Sequence, residues 1–380
     1  MKGSFLVQIA VLKELMKEET RTSVIPADVI KLVKLGAEVL VESGLGDSIN
    51  FSDADYQAAG ARIISHRQEL LKADIILKLR KLLLEEITSL KKGAVYISFL
   101  DPFHEKALVN AFAERGVSAI SMEMIPRTTL AQKMDALSSQ ASIGGYEAVM
   151  LGAQHLKKIL PMMMTPAGTI SPARVFIIGV GVAGLQAIAT AKRLGARVEA
   201  FDTRPAVKEQ VQSLGAKFIQ IDLGETGEDK NGYAKALTEE QMKLQQEGMA
   251  KVCEQSDLII TTAKLFGKKA PILITHDMIA RMKRGSVIVD MAVETGGNVE
   301  GSVLGEVAEM NGVKIIGLDP LPCFAPETAS QMYSSNLYNL IAQYWNKETK
   351  QFELKREDEI IKNCLLTFEG KIVNEKLMGK

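Results

Sequence analysis

The sequence predicts an α/β protein of two Rossmann-like, doubly wound parallel-sheet domains joined by long helices. Two observations predict it. Short apolar runs rich in Val and Ile alternate with helical patterns along the 380 residues, as expected for βαβ units whose parallel sheet is covered by helices. One long helical stretch, residues 128–160, interrupts the alternation and separates two series of strands.

In the first series, helical patterns at 26–35 and 105–114 lie between the strands. Pro26 suits the first turn of its helix and Gly36 suits the end. The predicted strands of this series are 5–12, 38–41, 74–79, 94–99 and 118–121.

The second series is followed by a helix at 328–345, which we expect to return to the first domain. We therefore predict a discontinuous first domain, 1–135 plus 325–380, and a second domain at 136–324. The predicted strands of the second series are 175–178, 197–201, 217–221, 258–261, 287–291 and 314–317.

Composition excludes several classes of protein. The 46 basic and 46 acidic residues balance, whereas a nucleic-acid-binding protein needs a basic surface. No window reaches the roughly 18 to 20 apolar residues of a membrane helix, and the run 5–12 fits a first strand better than a signal peptide. The chain is thus expected to be neither secreted nor membrane-spanning. Its three scattered cysteines indicate reduced thiols, and no spacing indicates a metal site.

The strongest chemical signal is the run Gly179-Val-Gly-Val-Ala-Gly184, which follows a β-branched strand and begins an Ala-rich helix. In such a G-x-G-x-x-G turn, Gly179 allows the tight bend, Gly181 lets a pyrophosphate approach the backbone, and Gly184 lets helix and strand pack closely. The N-terminus of the helix favours phosphate. The alternative is a glycine-rich turn without a cofactor.

Asp202 ends the next predicted strand, 18 residues after Gly184. A carboxylate there accepts hydrogen bonds from the adenosine ribose and repels a 2′-phosphate, so it favours NAD(H) over NADP(H). The neighbouring Arg204 would soften this preference. Because ligands bind beyond the carboxyl ends of parallel strands, the loops 261–267, 292–298 and 317–322 are expected to form the other wall of the site.

A polar cluster lies before the second series. Spaced as on one helix, Gln132, Asp135, Ser138 and Ser142 share a face. Their amide, carboxylate and hydroxyl groups would fix a carboxamide by its donor and acceptor pattern. The alternative is a solvated helix face. The four histidines suggest no general base or nucleophile site.

Several motifs together resemble domain I of the proton-translocating NAD(P) transhydrogenases, and the likeness covers nearly the whole chain. The motifs are Pro126-Arg127, Ala131-Gln132, Met134 to Gln140 (MDALSSQ), Pro161 to Thr169 (PMMMTPAGT), Gly179 to Gly195, Phe201-Asp-Thr-Arg204, Gly232-Tyr-Ala-Lys235 and 287–298.

The resemblance implies that this chain is the NAD(H)-binding alpha chain of a split enzyme. It implies a homodimer docked to an NADP(H)-binding beta subunit and a membrane-spanning subunit. The chain would lie in the cytoplasm, peripheral on the inner (plasma) membrane through those partners. Hydride would pass directly between the two nicotinamides, coupled to proton translocation, so the protein's task would be positioning.

The family pattern also implies roles for residues. Arg127, Asp135 and Ser138 would hold the nicotinamide side, and Gln132 would point towards the second nucleotide; these four are the expected orienting groups of the reaction. Tyr233 would lie on a mobile loop that closes over the nucleotide. The expected cofactor-binding set is these four with Gly179, Gly181, Val182, Gly184, Asp202, Thr203, Arg204, Gly232, Tyr233, Ala263 and Lys264.

The sequence departs from the family at Lys264, Phe266 and Lys269, where the family usually has Leu, Pro and Pro, so this loop is expected to be more mobile than in the family. Two alternatives remain. Arg21 and Lys78 resemble substrate-binding residues of alanine dehydrogenases, although Ser98-Phe99-Leu100 stands where those enzymes carry a catalytic histidine, and imine reduction needs a proton donor. The other alternative is a non-catalytic NAD-binding regulator.

Overall fold

The computed structural model describes residues 6–224, 226, 237–264 and 267–378. Contacts between Cα atoms divide the chain into two compact units. The first contains the residues before Ala141 and those after Pro322, and the second runs from Ala141 to Pro322. The limits expected from sequence were 135/136 and 324/325.

The first unit is built on a six-stranded, wholly parallel sheet in the order β3-β2-β1-β4-β5-β6. This order reverses between β1 and β4, as in doubly wound nucleotide-binding folds. The strands are β1 (Gln8–Val11), β2 (Glu38–Glu42), β3 (Arg62–Ile64), β4 (Ile75–Leu77), β5 (Val95–Ser98) and β6 (Ser118–Ser121).

Helices link these strands, and the returning C-terminal segment completes the unit. The helices are α1 (Pro26–Leu35), α2 (Asp53–Ala58), α3 (Arg67–Leu70), α4 (Leu84–Ile87), α5 (Lys106–Arg115), α11 (Pro326–Gln343) and α12 (Glu359–Cys364). The 3₁₀ turns are Asp47–Ile49, Met122–Met124 and Gln132–Met134, and a further one, Leu321–Phe324, contains the limit between the units. Two short hairpins pair β16 (Trp345–Asn346) with β17 (Gln351–Phe352) and β18 (Thr367–Phe368) with β19 (Lys371–Ile372).

The second unit has a seven-stranded sheet in the order β11-β10-β9-β12-β13-β15-β14. It repeats the order of the first sheet, except that β14 is an antiparallel edge strand. The strands are β9 (Arg174–Ile178), β10 (Arg197–Phe201), β11 (Lys217–Phe218), β12 (Leu258–Thr261), β13 (Val287–Asp290), β14 (Val307–Met310) and β15 (Val313–Ile316).

Helices α7 (Val182–Arg193), α8 (Lys208–Ser213), α9 (Glu239–Gln255) and α10 (His276–Ala280) surround this sheet, with 3₁₀ turns at Pro205–Val207 and Val293–Thr295. The helix α6 (Ala136–His155) contains the limit between the units, and a small hairpin of β7 (Met163–Thr165) and β8 (Gly168–Ile170) follows it.

Both faces of the second sheet are buried. On β9, Val175 and Ile177 belong to one apolar cluster, while Phe176 and Ile178 belong to another on the opposite face. This alternation places a layer of helices on each side of the sheet. Within the described residues, no helix is long and apolar enough to cross a membrane.

The predicted fold class is confirmed, but several elements differ. The single helix expected at 128–160 is wrong: a 3₁₀ turn at Gln132–Met134 precedes α6, which ends at His155. The break occurs because Asp135 has a non-helical ψ of 89° and caps the next helix. Strand β3, the β7–β8 hairpin and β14 were not predicted, and β11 is shorter than the predicted strand 217–221.

Candidate functional site

The carboxyl edge of the second sheet gathers the predicted loops. Strands β9, β12, β13 and β15 are neighbours and run parallel, so their carboxyl ends lie side by side. The loops that follow Ile178, Thr261, Asp290 and Ile316 therefore begin at one edge, beside the point where the strand order reverses. This is the predicted arrangement of the glycine turn and its facing wall.

Each glycine of the turn has a distinct steric reason. Gly179 has a left-handed φ of 94°, and a Cβ there would lie 2.6 Å from Thr262 Oγ1. A Cβ on Gly184 would lie 2.0 Å from the carbonyl oxygen of Gly179. At Gly181, by contrast, no described atom lies within 4 Å of the Cβ position. The turn is closed at its two ends and open in the middle, which suits a ligand at Gly181.

Helix α7 begins directly behind this open position, with Gly181 as its N-cap and without a side-chain cap. Gly145 of α6 packs against its first turn, since a Cβ there would lie 2.2 Å from the carbonyl oxygen of Ala183. The first N–H groups of an α-helix have no partner inside the helix and favour anions. The adjacent Gly144-Gly145 pair inside a helix was a signal of close packing that our sequence analysis overlooked.

Asp202 and Arg204 form a closed ion pair at the end of β10. Arg204 donates to the Asp202 carboxylate from its Nε at 2.9 Å and from Nη2 at 2.8 Å. The backbone N–H groups of Arg204 and Val180 donate to the same carboxylate at 2.8 and 2.7 Å. The side chains of Asp202 and Arg204 are 7% and 14% exposed. Asp202 thus stands at the predicted place, with its acceptor capacity already used.

Two buried residues that sequence analysis did not single out as site residues hold the loop after β12. Asn298 accepts from the backbone N–H of Ala263 at 3.1 Å and donates to the Ala263 carbonyl at 3.0 Å. Asp290, 1% exposed, in turn accepts from the backbone N–H of Asn298 at 3.0 Å. The loop that contains the predicted contacts Ala263 and Lys264 is therefore fixed by side chains from the neighbouring strand end.

Lys264, which departs from the family pattern, forms an ion pair with Asp319. Its Nζ lies 3.6 Å from Oδ2 of Asp319, which follows β15 and is 9% exposed. Burial raises the pKa of Asp319; the Lys264 charge opposes this rise and the Glu294 carboxylate adds to it. The departure at Lys264 therefore places a charge pair at this edge of the sheet. Phe266 lies outside the described residues, and so do Gly232 and Tyr233.

The polar cluster of the first unit differs from the expected helix face. Asp135 caps α6 by accepting from the backbone N–H of Ser138 at 2.9 Å and from its hydroxyl at 2.6 Å. Gln132 lies on the preceding 3₁₀ turn, so it does not share a helix face with Asp135, Ser138 and Ser142. Arg127 and Gln132 are exposed. Asp135 and Ser138 are brought together, whereas Gln132 extends into solvent separately.

The residues that suggested an alanine dehydrogenase are buried in ion pairs of the first unit. Arg21 donates to both carboxylate oxygens of Glu19 at 2.6 Å, and Lys78 donates to Glu14. Ser98 ends β5 and donates its hydroxyl to the Phe99 carbonyl. Both cations are therefore neutralised by carboxylates of the same chain, which the sequence analysis did not identify.

Family models match both halves of the chain. The N-terminal domain of alanine dehydrogenase/PNT matches residues 10–144, and the C-terminal domain of alanine dehydrogenase/PNT matches residues 148–375. The chain belongs to the alanine dehydrogenase/PNT family.

Transhydrogenases of this family resemble the chain over its whole length. The first portion of NAD(P) transhydrogenase subunit alpha of Rhodospirillum rubrum is 44% identical, over 98% of this chain and 100% of that protein. The crystal structure of transhydrogenase from Sinorhizobium meliloti superposes with a TM-score of 0.85 at 39% identity, over 97% of this chain and 99% of that one. Alanine dehydrogenase of Bacillus subtilis is 31% identical, over 77% of this chain and 72% of that enzyme. The resemblance to transhydrogenase inferred from the motifs is confirmed.

Proposed function

We propose that this chain is the NAD(H)-binding subunit of a proton-translocating NAD(P) transhydrogenase, in which a partner subunit binds NADP(H). The observation that carries the proposal is the turn at Gly179–Gly184, closed by steric contact at both ends and open at Gly181. It opens at the N-terminus of α7, beside Asp202. The whole chain, this turn included, resembles a transhydrogenase alpha subunit.

The described residues fit a dinucleotide. The open space at Gly181 and the start of α7 suit a pyrophosphate. Val182, 36% exposed, and Thr203 lie on the two segments that would flank the adenosine. Ala263 and Lys264 lie on the loop held by Asn298, at the same edge. We assign these residues, with Asp202 and Arg204, to NAD(H) binding.

When bound, the nicotinamide ring supplies or receives the hydride. The chain's own task is then to hold the ring at a fixed distance and angle from its reaction partner. Holding the two reacting atoms in a near-attack geometry removes much of the activation barrier of such a step. Asp135 and Ser138, locked to each other at the start of α6, provide a rigid polar pair for a carboxamide. Arg127 and Gln132 complete the set of orienting groups.

The relatives' names describe subunits, and we propose the corresponding assembly for this chain. It would form a homodimer that docks an NADP(H)-binding beta subunit and a membrane-spanning subunit. The chain would lie in the cytoplasm, on the inner face of the plasma membrane through those partners.

The proposed function predicts nucleotide preference and reconstituted activity. In fluorescence titrations, the purified chain is expected to bind NADH at least about tenfold more tightly than NADPH, because Asp202 repels a 2′-phosphate. Mixed with the NADP(H)-binding component, it should support hydride transfer from NADPH to an NAD⁺ analogue. Equal affinities would contradict the assignment of the nucleotide. Turnover of pyruvate and ammonia with NADH by the chain alone would instead establish an alanine dehydrogenase.

A second prediction concerns Gln132. Shortening this exposed side chain in Gln132→Asn removes one methylene without removing the amide, so NADH affinity should stay within about twofold while the rate of hydride transfer falls about tenfold or more. Stopped-flow transfer in the reconstituted complex measures the rate. Lys133→Gln, at the neighbouring exposed position, is the control and should leave both quantities unchanged. An unaltered rate in Gln132→Asn would remove Gln132 from the orienting set.

A further inference from the structure

The ion pair at the end of β10 connects Asp202, Arg204 and the glycine turn. A carboxylate offers about four acceptor positions, and Asp202 fills four with bonds from Val180 and Arg204. Nη2 of Arg204 also donates to the Val180 carbonyl at 3.1 Å. The guanidinium is therefore fastened to Asp202 and to the glycine turn together.

Arg204 has both the position and the chemistry needed to bind a 2′-phosphate. The end of the second strand is where doubly wound folds meet the adenosine ribose, and a nearby arginine there accommodates the 2′-phosphate of NADP(H). Arg204 stands at this place with a planar, always charged group that matches a phosphate. In this chain the same group is engaged by a carboxylate two residues away.

We propose that Asp202 determines nucleotide selectivity mainly by sequestering Arg204, so that the chain contains a latent 2′-phosphate site which the Asp202–Arg204 pair keeps closed. The inference rests on the proposed function, since it concerns the selectivity of the same site.

The pair penalises a 2′-phosphate twice. The carboxylate repels the phosphate directly. In addition, Arg204 can reach the phosphate only by leaving Asp202, and an almost buried carboxylate without its cation is costly. A ribose hydroxyl carries no such penalty, because it can replace one donor on Asp202 while the remaining bonds to Val180 and Arg204 persist. NAD(H) thus enters by exchanging one hydrogen bond.

The test uses three variants of the full chain and two pairs of ligands. Asp202→Asn keeps the shape of the side chain but removes its charge, and should release Arg204 to the phosphate. We expect NADPH affinity to rise about tenfold or more, and affinity for adenosine 2′,5′-bisphosphate relative to AMP to rise in parallel. NADH affinity should fall by less than about tenfold. The NADPH gain should shrink as salt increases.

Asp202→Asn/Arg204→Gln is the decisive control. It should lose the gain in NADPH affinity, whereas Asp202→Asn/Lys208→Gln, which removes an exposed lysine of the next helix, should retain it. Calorimetric titration gives the affinities, and circular dichroism verifies folding. An Asp202→Asn chain that folds but binds NADPH no better than the wild type overturns the proposal, and so does a gain that survives loss of Arg204. Failure of the wild type to bind NADH would instead refute the proposed function.

Discussion

Replacing Gly184 by valine is expected to abolish NADH binding. Any Cβ at this position would stand 2.0 Å from the carbonyl oxygen of Gly179. The oxygen belongs to the backbone and the Cβ position is fixed by the backbone of Gly184, so rotating a side chain cannot relieve the clash. The turn must open, and the start of α7 must move away from β9. We expect a loss in NADH affinity of more than about 100-fold and a loss in stability of about 3 kcal/mol.

Gly181→Ala is the matched control, because its methyl group would meet no described atom within 4 Å. Gly181 has φ of −85° and ψ of −163°, an extended conformation with negative φ that does not require glycine. Because alanine is a poorer N-cap than glycine, the free energy of unfolding of this variant should fall by about 1 kcal/mol, well short of the loss in Gly184→Val. Its NADH affinity should nevertheless fall about tenfold, since the methyl occupies the approach to the backbone. Unchanged NADH affinity in Gly181→Ala would place the pyrophosphate elsewhere.

Replacing Arg21 by methionine is expected to destabilise the first unit by about 3 kcal/mol, because it leaves a buried carboxylate without its main partner. Burial alone would raise the pKa of Glu19, but the hydrogen bonds and charges of Arg21 and then Arg80 outweigh it and lower the pKa to about 2. The side chains of Arg21 and Glu19 are 4% and 1% exposed. Urea unfolding followed by fluorescence measures the loss.

The single tryptophan, Trp345, reports on the first unit: it is 6% exposed and donates to the Leu35 carbonyl. Because the pKa of folded Glu19 lies below its ordinary 4.5, its contribution is present above about pH 4.5 and is lost as the pH falls towards 2. The wild type should therefore lose more stability over this window than Arg21→Met. Arg62→Met, whose side chain is 59% exposed, is the control and should cost less than about 1 kcal/mol. Equal stability of Arg21→Met and the wild type would contradict the argument.

Much of the fold follows from local patterns. Strands β6, β10 and β12 were predicted to the residue. Strand β12 is an almost continuous apolar run, as expected in a doubly covered sheet, whereas β6 and β10 contain polar residues and were placed by the alternation of strands with helices. The strands β3 and β14 were missed because both lie at a sheet edge and are half exposed, so the apolar pattern of a covered strand is absent. The place of β3 depends on hydrogen bonds to β2, an earlier strand that no local window contains. Strand β14 instead pairs with the adjacent β15 across the turn at Asn311-Gly312, a local hairpin signal that was not recognised in the sequence.

The parts of the candidate site that form a motif of fixed spacing could be predicted from the sequence. The parts that depend on tertiary contacts could not. The glycines of the turn and Asp202 were found because strand, turn and helix follow one another in sequence. The helical register assumed for Gln132 and Asp135 was wrong, since a capping bond at Asp135 ends one element and starts another. The hydrogen bonds of Asn298 to Ala263 and the ion pair of Lys264 with Asp319 join residues over 30 positions apart, so their sequence context gave no sign of them. The contact of these residues with NAD(H) stays a prediction.

The repetition of one strand order in both sheets has a consequence for stoichiometry. In the second sheet, the strand at the reversal of order leads at once into Gly179 and then α7. In the first sheet, β1 leads instead to Glu14, buried against Lys78, and α1 begins only at Pro26. A diphosphate would there meet the buried Glu14–Lys78 ion pair instead of a helix end. We therefore expect each polypeptide to bind a single dinucleotide, although both of its sheets have the strand order of a dinucleotide-binding fold.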